Sequence, residues 1–318
     1  MYRQASPTLT GLLLLALLLS YGAAHAGDIL PPPERVGPHS YAWVGPYGPP
    51  TRDNQGFRMN LGFVVGEQAV AVIDSGYGPA MAEAMLQHIR RITDRPVRYV
   101  INTNSQPHRI MGNPVFRRQG ARILAAEAAV ARMRDSGQQF AATVARVLER
   151  DPADIPIPRV PDELLSESRT IDLGDQVQVT VRPVGHAHTA GSSIVEVRPD
   201  GVVFAGDVLY RGRLLALLPV SRLEGWITSY DMLRDYPQAT LFVPGHGEPG
   251  PLAAFEQPTY AYLTTLRDHM AAAAQEWIGL DEAIDGLDQS DWRELADFEA
   301  LAGRNAHQAY LEFEGSDF

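Results

Sequence analysis

The chain has 318 residues, 45% of them hydrophobic, which is enough for one large core or two modest ones and is not the balance of a disordered protein. It contains no cysteine and no lysine, which excludes disulfides, cysteine-based sites, Schiff-base chemistry and lysine-dependent phosphate loops. A formal net charge of -11 disfavours nucleic acid and anionic membrane surfaces and leaves a small molecule or another protein as partner.

At the start, Arg3 precedes an apolar run over residues 12–19, and Ala24-His25-Ala26 places small residues where a signal peptidase reads. A signal peptide over residues 1–26, cleaved before Gly27, is therefore expected, with export to the periplasm. The run is shorter than the roughly 20 apolar residues of a spanning helix, so no membrane span is expected after cleavage. Residues 27–55 are rich in Pro and Gly, include Trp43 and Tyr47, and read as an irregular arm ending in an edge strand or two.

Residues 59–65 and 69–73 are β-type runs around Gly66-Glu67, which predicts a hairpin closed by Asp74-Ser75-Gly76. Pro79 opens a predicted helix to Ile92 with Met81, Met85, Leu86 and Ile89 near one face. A buried strand is expected over residues 97–101, followed by the loop NTNSQPHRIMGN at the strand end where α/β proteins place ligands. Then come a short strand at 122–124, a helix over 126–149 and a Pro-rich loop over 151–161. Four strand-like runs, 170–173, 176–184, 193–198 and 202–205, predict a β-meander. A helix over 223–234, a strand at 241–243 and helices from Pro251 onward, broken at Gly279 and Gly286, complete the order. Two β-rich halves, each followed by helices, suggest two packed sheets with helices outside, which on pattern alone is one of several α+β options.

Three polar signatures stand at strand ends: Gly185-His186-Ala187-His188-Thr189, Ala205-Gly206-Asp207 and Pro244-Gly245-His246-Gly247. Residues 245–250 also match the dinucleotide fingerprint G-x-G-x-x-G, but Pro249 and Pro251 remove backbone donors that such a loop needs. Taken in order after Val72-Ile73-Asp74-Ser75-Gly76 and NTNSQPH, the set resembles the metallo-β-lactamase fold superfamily over roughly residues 59–247.

That resemblance implies a four-layer αββα sandwich over residues 56–250, its active site on five loops along one edge. Residues 251–318 would be C-terminal helices packing on or beside it. The stretches 262–267 and 305–312 look like the exported branch found alongside quinoprotein relay and sulfur-oxidation systems.

The family's first loop reads His-x-His-x-Asp-His, and on it Asn104, Gln106 and Pro107 fall on degenerate ligand positions while His108 is retained. By the same resemblance His188, Asp207 and His246 stand for a first-site histidine, the bridging carboxylate and a second-site histidine, while Asp74, Thr189 and Gly245 support the site structurally.

Amide oxygens are poor zinc donors and proline offers none, so a dinuclear centre is not expected. His108, Asp207 and His246 with a water still meet the three-ligand rule of a catalytic zinc, and His188 could join if the ion sits between the family's two positions. The expectation is one zinc ion and hydrolysis of an ester, thioester, amide or lactam, with Asp207 at the metal and Gln106 positioning water. The other expectation is an inactive member that uses the cleft to bind a partner in an exported redox system. β-Lactamase activity itself would follow only from the superfamily's name.

Overall fold

The structure, a computed structural model, describes residues 29–314, so the expected leader and its cleavage point lie outside the described residues. Among the described residues no helix is long and apolar enough to cross a membrane.

One sheet has seven strands in chain order: β1 (Glu34–Arg35), β2 (Ser40–Trp43), β3 (Leu61–Val65), β4 (Val70–Ile73), β5 (Val97–Asn102), β6 (Arg122–Ala126) and β7 (Glu163–Leu165). Strands β3 and β4 form the expected hairpin, with Gly62 opposite Ile73 and Val65 opposite Val70. From β4 to β7 the pairing is parallel. The parallel strands need crossovers, supplied by α1 (Pro79–Ile92) and by α2 (Pro107–Ile110) with α3 (Asn113–Arg118), and then by α4 (Glu127–Val147).

Helix α1 starts and stops as its sequence predicts: Pro79 sits in the first turn, Arg90 and Arg91 complement the dipole at the end, and Met81, Ala82, Met85, Leu86 and Ile89 are buried.

The second sheet has five strands, β8 (Arg169–Asp172), β9 (Gln178–Gly185), β10 (Ser192–Arg198), β11 (Val202–Tyr210) and β12 (Leu241–His246), in the order β12-β11-β10-β9-β8. Strands β8 to β11 are the expected antiparallel meander, and β12 joins β11 in parallel after α5 (Leu223–Asp231). Several boundaries differ from expectation: β6 reaches Ala126, β12 reaches His246, and α2, α3 and β7 stand where no element was expected, while β11 and α5 differ for reasons that can be read. Strand β11 runs on to Tyr210 because β12 pairs beside it as far as Tyr210 opposite His246, with register shifts on both sides of Gly206. Helix α5 ends at Asp231, and Met232–Asp235 tightens into a 3-10 turn before Pro237.

The inner faces of the two sheets meet in an apolar layer that includes Val64, Ile73, Ile101, Leu124, Val179, Val195, Phe204 and Val243. Each such side chain contributes roughly 1.5–3 kcal/mol by leaving water. A second apolar layer joins the seven-stranded sheet to α1, α3 and α4. A third joins the five-stranded sheet to α5, α6 (Tyr262–Gln275), α7 (Leu280–Gly286) and α8 (Phe298–Phe313). The result is the four-layer α+β sandwich, helices outside two sheets, that the resemblance implies and the element order allows.

After β12 the chain passes through a 3-10 turn (Leu252–Phe255) and a π-helical turn (Glu256–Ala261), so no helix opens on Gly245–Gly250 as a dinucleotide loop would require. The π turn instead positions Thr259, whose hydroxyl donates to the Tyr210 carbonyl at 2.8 Å and accepts from the Tyr210 amide at 3.0 Å. That clamp holds the end of β11 at the sheet edge where the polar loops gather.

Candidate metal centre and cleft

The carboxyl ends of β4, β5, β11 and β12 bring Asp74, the 103–109 segment, Asp207 and His246 to one edge. Asp74 adopts a left-handed φ of 61° just after β4. Its Oδ1 accepts from the Thr103 amide at 2.8 Å and its Oδ2 from the Thr103 hydroxyl at 2.8 Å, which fixes the start of the loop. Burial pushes its carboxyl up to about 6, against the pull of Arg109 and the Thr103 bonds.

The centre of the loop is Arg109. It is 1% exposed, and its guanidinium uses all five N–H donors. Nε and Nη2 reach Asp207 Oδ2 and Oδ1 at 3.1 and 2.6 Å, a bidentate pair. Nη1 donates to the Asn60 carbonyl at 2.7 Å and to Asp74 Oδ2 at 3.2 Å, and Nη2 donates also to the Gly245 carbonyl at 3.0 Å. Burial opposes its charge, but the Asp207 and Asp74 carboxylates outweigh that and hold the guanidinium above the usual arginine value. For Asp207 burial is likewise the largest influence, yet Arg109 and His108 hold its carboxyl well below the usual range.

This arrangement corrects the reading of the loop. The six-position pattern His-x-His-x-Asp-His, begun at Asn104, ends at Arg109, so His108 stands in the aspartate's place and Arg109 in the last histidine's. Pro107 occupies a spacer position and forms the first residue of α2. Asn104 does not offer an amide oxygen to a metal. Its Nδ2 donates to Asp207 Oδ2 at 2.7 Å and its Oδ1 accepts from the Gln106 amide at 2.8 Å. The sequence carried the signal for Arg109 in the count of the pattern, but nothing in an isolated arginine announces burial.

His108, Asp207 and His246 do come together, with one donor atom from each lying within 4.8 Å of the others. His108 Nε2 is 3.1 Å from Asp207 Oδ2, and His246 Nε2 is 3.4 Å from Asp207 Oδ1. His246 Nδ1 lies 2.8 Å from the Arg58 carbonyl, which can only accept, so Nδ1 carries the proton. Burial, the largest influence, holds this imidazole well below its usual value, against the pull of Asp207, and in the neutral ring the Nε2 lone pair faces a carboxylate oxygen. Such a pair takes either a proton or a metal cation between its atoms. A histidine whose other nitrogen donates to a backbone carbonyl is also how metal ligands are commonly oriented. The donor set, two neutral imidazoles and a carboxylate, suits zinc.

His188 is not in that group among the described residues. It is buried, set edge-on to Trp226 with ring centroids 5.1 Å apart, and its Nδ1 has no partner. Burial pushes its imidazole down to about 4. Thr189 accepts at Oγ1 from Ser105 at 3.5 Å, tying this turn to the 103–109 loop. Gly245 lets two segments approach, since a Cβ there would collide with Asp207 and lie 2.7 Å from Arg109 Nη2. His186, outside the centre, bonds the Val220 carbonyl at 2.7 Å.

Above the triad lies a cleft of about 300 Å³ whose walls include Gln106, His108, His188, Tyr210 and His246. The far wall comes from α8 and from the segment after β11, which Asn305 secures by accepting from the Leu217 amide and donating to the Leu215 carbonyl, both at 2.8 Å.

The family model described as Metallo-beta-lactamase superfamily matches residues 56–246. The chain belongs to the metallo-beta-lactamase superfamily. Solved structures with this fold include a metallo-beta-lactamase from Pontibacter korlensis, with a TM-score of 0.57, 19% identity and 73% of this chain matched to 98% of that one. Another is the metallo-beta-lactamase IND-7, with a TM-score of 0.54, 18% identity, and coverage of 68% of this chain and 90% of that one. Both likenesses are of fold. An acyl-coenzyme A thioesterase from Gallus gallus, MBLAC2, is 32% identical over 89 residues, which is 27% of this chain. The chain spans only 31% of that relative's length.

Proposed function

We propose that this superfamily member is a single-metal hydrolase, with one zinc ion held by His108, Asp207 and His246 and an acyl substrate in the cleft above. The observation that carries this reading is the fixed Nδ1–H of His246, which turns a lone pair toward Asp207. When bound, the ion would lower the pKa of its water to roughly 7 and polarise a carbonyl. The Arg58 carbonyl sets the direction of His246, and Arg109 with Asn104 sets that of Asp207. Gln106, whose Nε2 has no partner, stands on the rim to orient water or a carbonyl oxygen.

The similarity to an acyl-coenzyme A thioesterase makes thioesters the first substrates to test, ahead of esters, amides and lactams. Mature protein purified without chelator should contain close to one equivalent of zinc, and His246→Ala should lose both the metal and thioester hydrolysis. Metal-free protein after zinc-replete expression overturns the proposal.

A second reading has its own support. Arg109 already satisfies Asp207 without a metal, as a cleft retained for binding a partner in an exported redox system would allow. Export itself is supported by Arg3, the apolar run at 12–19 and Ala24-His25-Ala26. The intact mass of protein recovered from a bacterial periplasm should correspond to a chain beginning at Gly27.

A further inference from the structure

The cleft has a feature that the metal reading does not use. Its lining holds three arginines, Arg58, Arg213 and Arg304, and no aspartate or glutamate, in a chain of net charge -11. Asp297 is the carboxylate behind two of them, with Oδ2 at 3.2 Å from Arg58 Nη2 and 2.8 Å from Arg213 Nη2. One carboxylate between two guanidinium groups leaves positive charge over.

Arg213 is 5% exposed, and its Nε has no partner, a costly state for a buried charged donor. Of the five buried side-chain polar atoms without a partner among the described residues, three belong to residues lining this cleft: Gln106, His188 and Arg213. Arg304, on α8, is exposed at the mouth.

From this we infer that the wall formed by Arg58, Arg213 and Arg304 is an anion subsite, so the substrate carries a carboxylate or phosphate beside the bond presented to the metal centre. Arginine suits either group through paired N–H donors. The inference rests on reading the cleft as a substrate site, but requires neither metal nor turnover.

The test is therefore binding rather than rate. Titration calorimetry of the full mature chain with glutarate, with inorganic phosphate and with neutral glutaramide should show heat of binding for at least one anion and none for the diamide. Which anion binds distinguishes carboxylate from phosphate recognition. Arg304→Ala, a surface change, should weaken that binding at least 3-fold, and Arg213→Gln at least 10-fold. Chelator-treated parent protein should retain it, so failure of the metal proposal would be seen separately. Rising salt should weaken the interaction. Equal binding of the diamide, no binding of either anion, or anion affinity unchanged in folded Arg304→Ala and Arg213→Gln proteins, confirmed by circular dichroism, overturns the inference.

Discussion

Arg109 connects four separate segments through one side chain: the Asp74 turn, the Asn60 backbone, Asp207 on β11 and Gly245 on β12. Removing it would leave two buried carboxylates facing each other without a cation, so Arg109→Met should lower stability by about 3–5 kcal/mol in urea denaturation. Arg109→Lys restores the charge but not the planar five-donor fork and should recover only part of that loss. A methionine variant within about 0.5 kcal/mol of the parent, the range of an ordinary surface substitution, would show that the pair is not structural. This residue also marks the limit of what the sequence showed of the site. Asp207 and His246 were legible because their loops keep the family's order, and His108 because it is the one histidine of the first loop, whereas the pairing of Arg109 with Asp207 depends on burial by segments distant in sequence. His188 carries a second prediction, in pH. Its folded value, about 4, lies below the ordinary histidine value near 6.5, so between those limits the unfolded state binds more protons. Its contribution to stability is whole above about pH 6.5 and is lost as pH falls toward 4. Metal-free His188→Gln protein should show a flatter loss of urea stability than the parent across that window. An unchanged slope would mean that the ring is not held neutral by burial.

At the scale of elements, the sequence was most readable where a segment's own pattern decides its structure. Helix α1 has a proline start, a buried face at helical spacing and a basic end, and the β3–β4 hairpin has a Gly66-Glu67 turn between β-branched runs. The extension of β11 and the π turn at Glu256–Ala261 were not readable, because each exists to meet a partner: β12 in one case, the Tyr210 backbone in the other. The contact between the two sheets is a similar case. Gly62 on β3 faces the ring of Phe204 on β11, and a Cβ there would overlap the ring edge. Phe204 is 3% exposed within the inter-sheet core, so it has little room to yield. Gly62→Ala should therefore cost about 1–3 kcal/mol through overpacking. Adding Phe204→Leu should make the double variant more stable than the two single losses added together, and simple additivity in a double-mutant cycle would argue against the contact.

For the whole molecule, the three ligands of the proposed metal arrive from separate places. His108 belongs to the seven-stranded half, while Asp207 and His246 sit on neighbouring strands of the five-stranded half. A metal bound by all three would thus fasten one sheet to the other across the edge of the sandwich, a task in which Arg109, Asn104 and Asn60 already share. Because the unfolded chain keeps no such grouping, binding should appear directly as folding stability. At a zinc concentration about 100 times the dissociation constant the gain is about 2.7 kcal/mol, which for a chain of this size is on the order of 5 °C in melting temperature. Zinc should therefore raise the melting temperature of chelator-treated parent protein, and excess chelator should reverse the rise. His246→Ala and His108→Ala should abolish it, whereas His188→Gln should retain it, since that ring lies outside the converging set. A zinc response equal in His246→Ala and the parent would assign the stabilisation to surface carboxylates and overturn the metal centre.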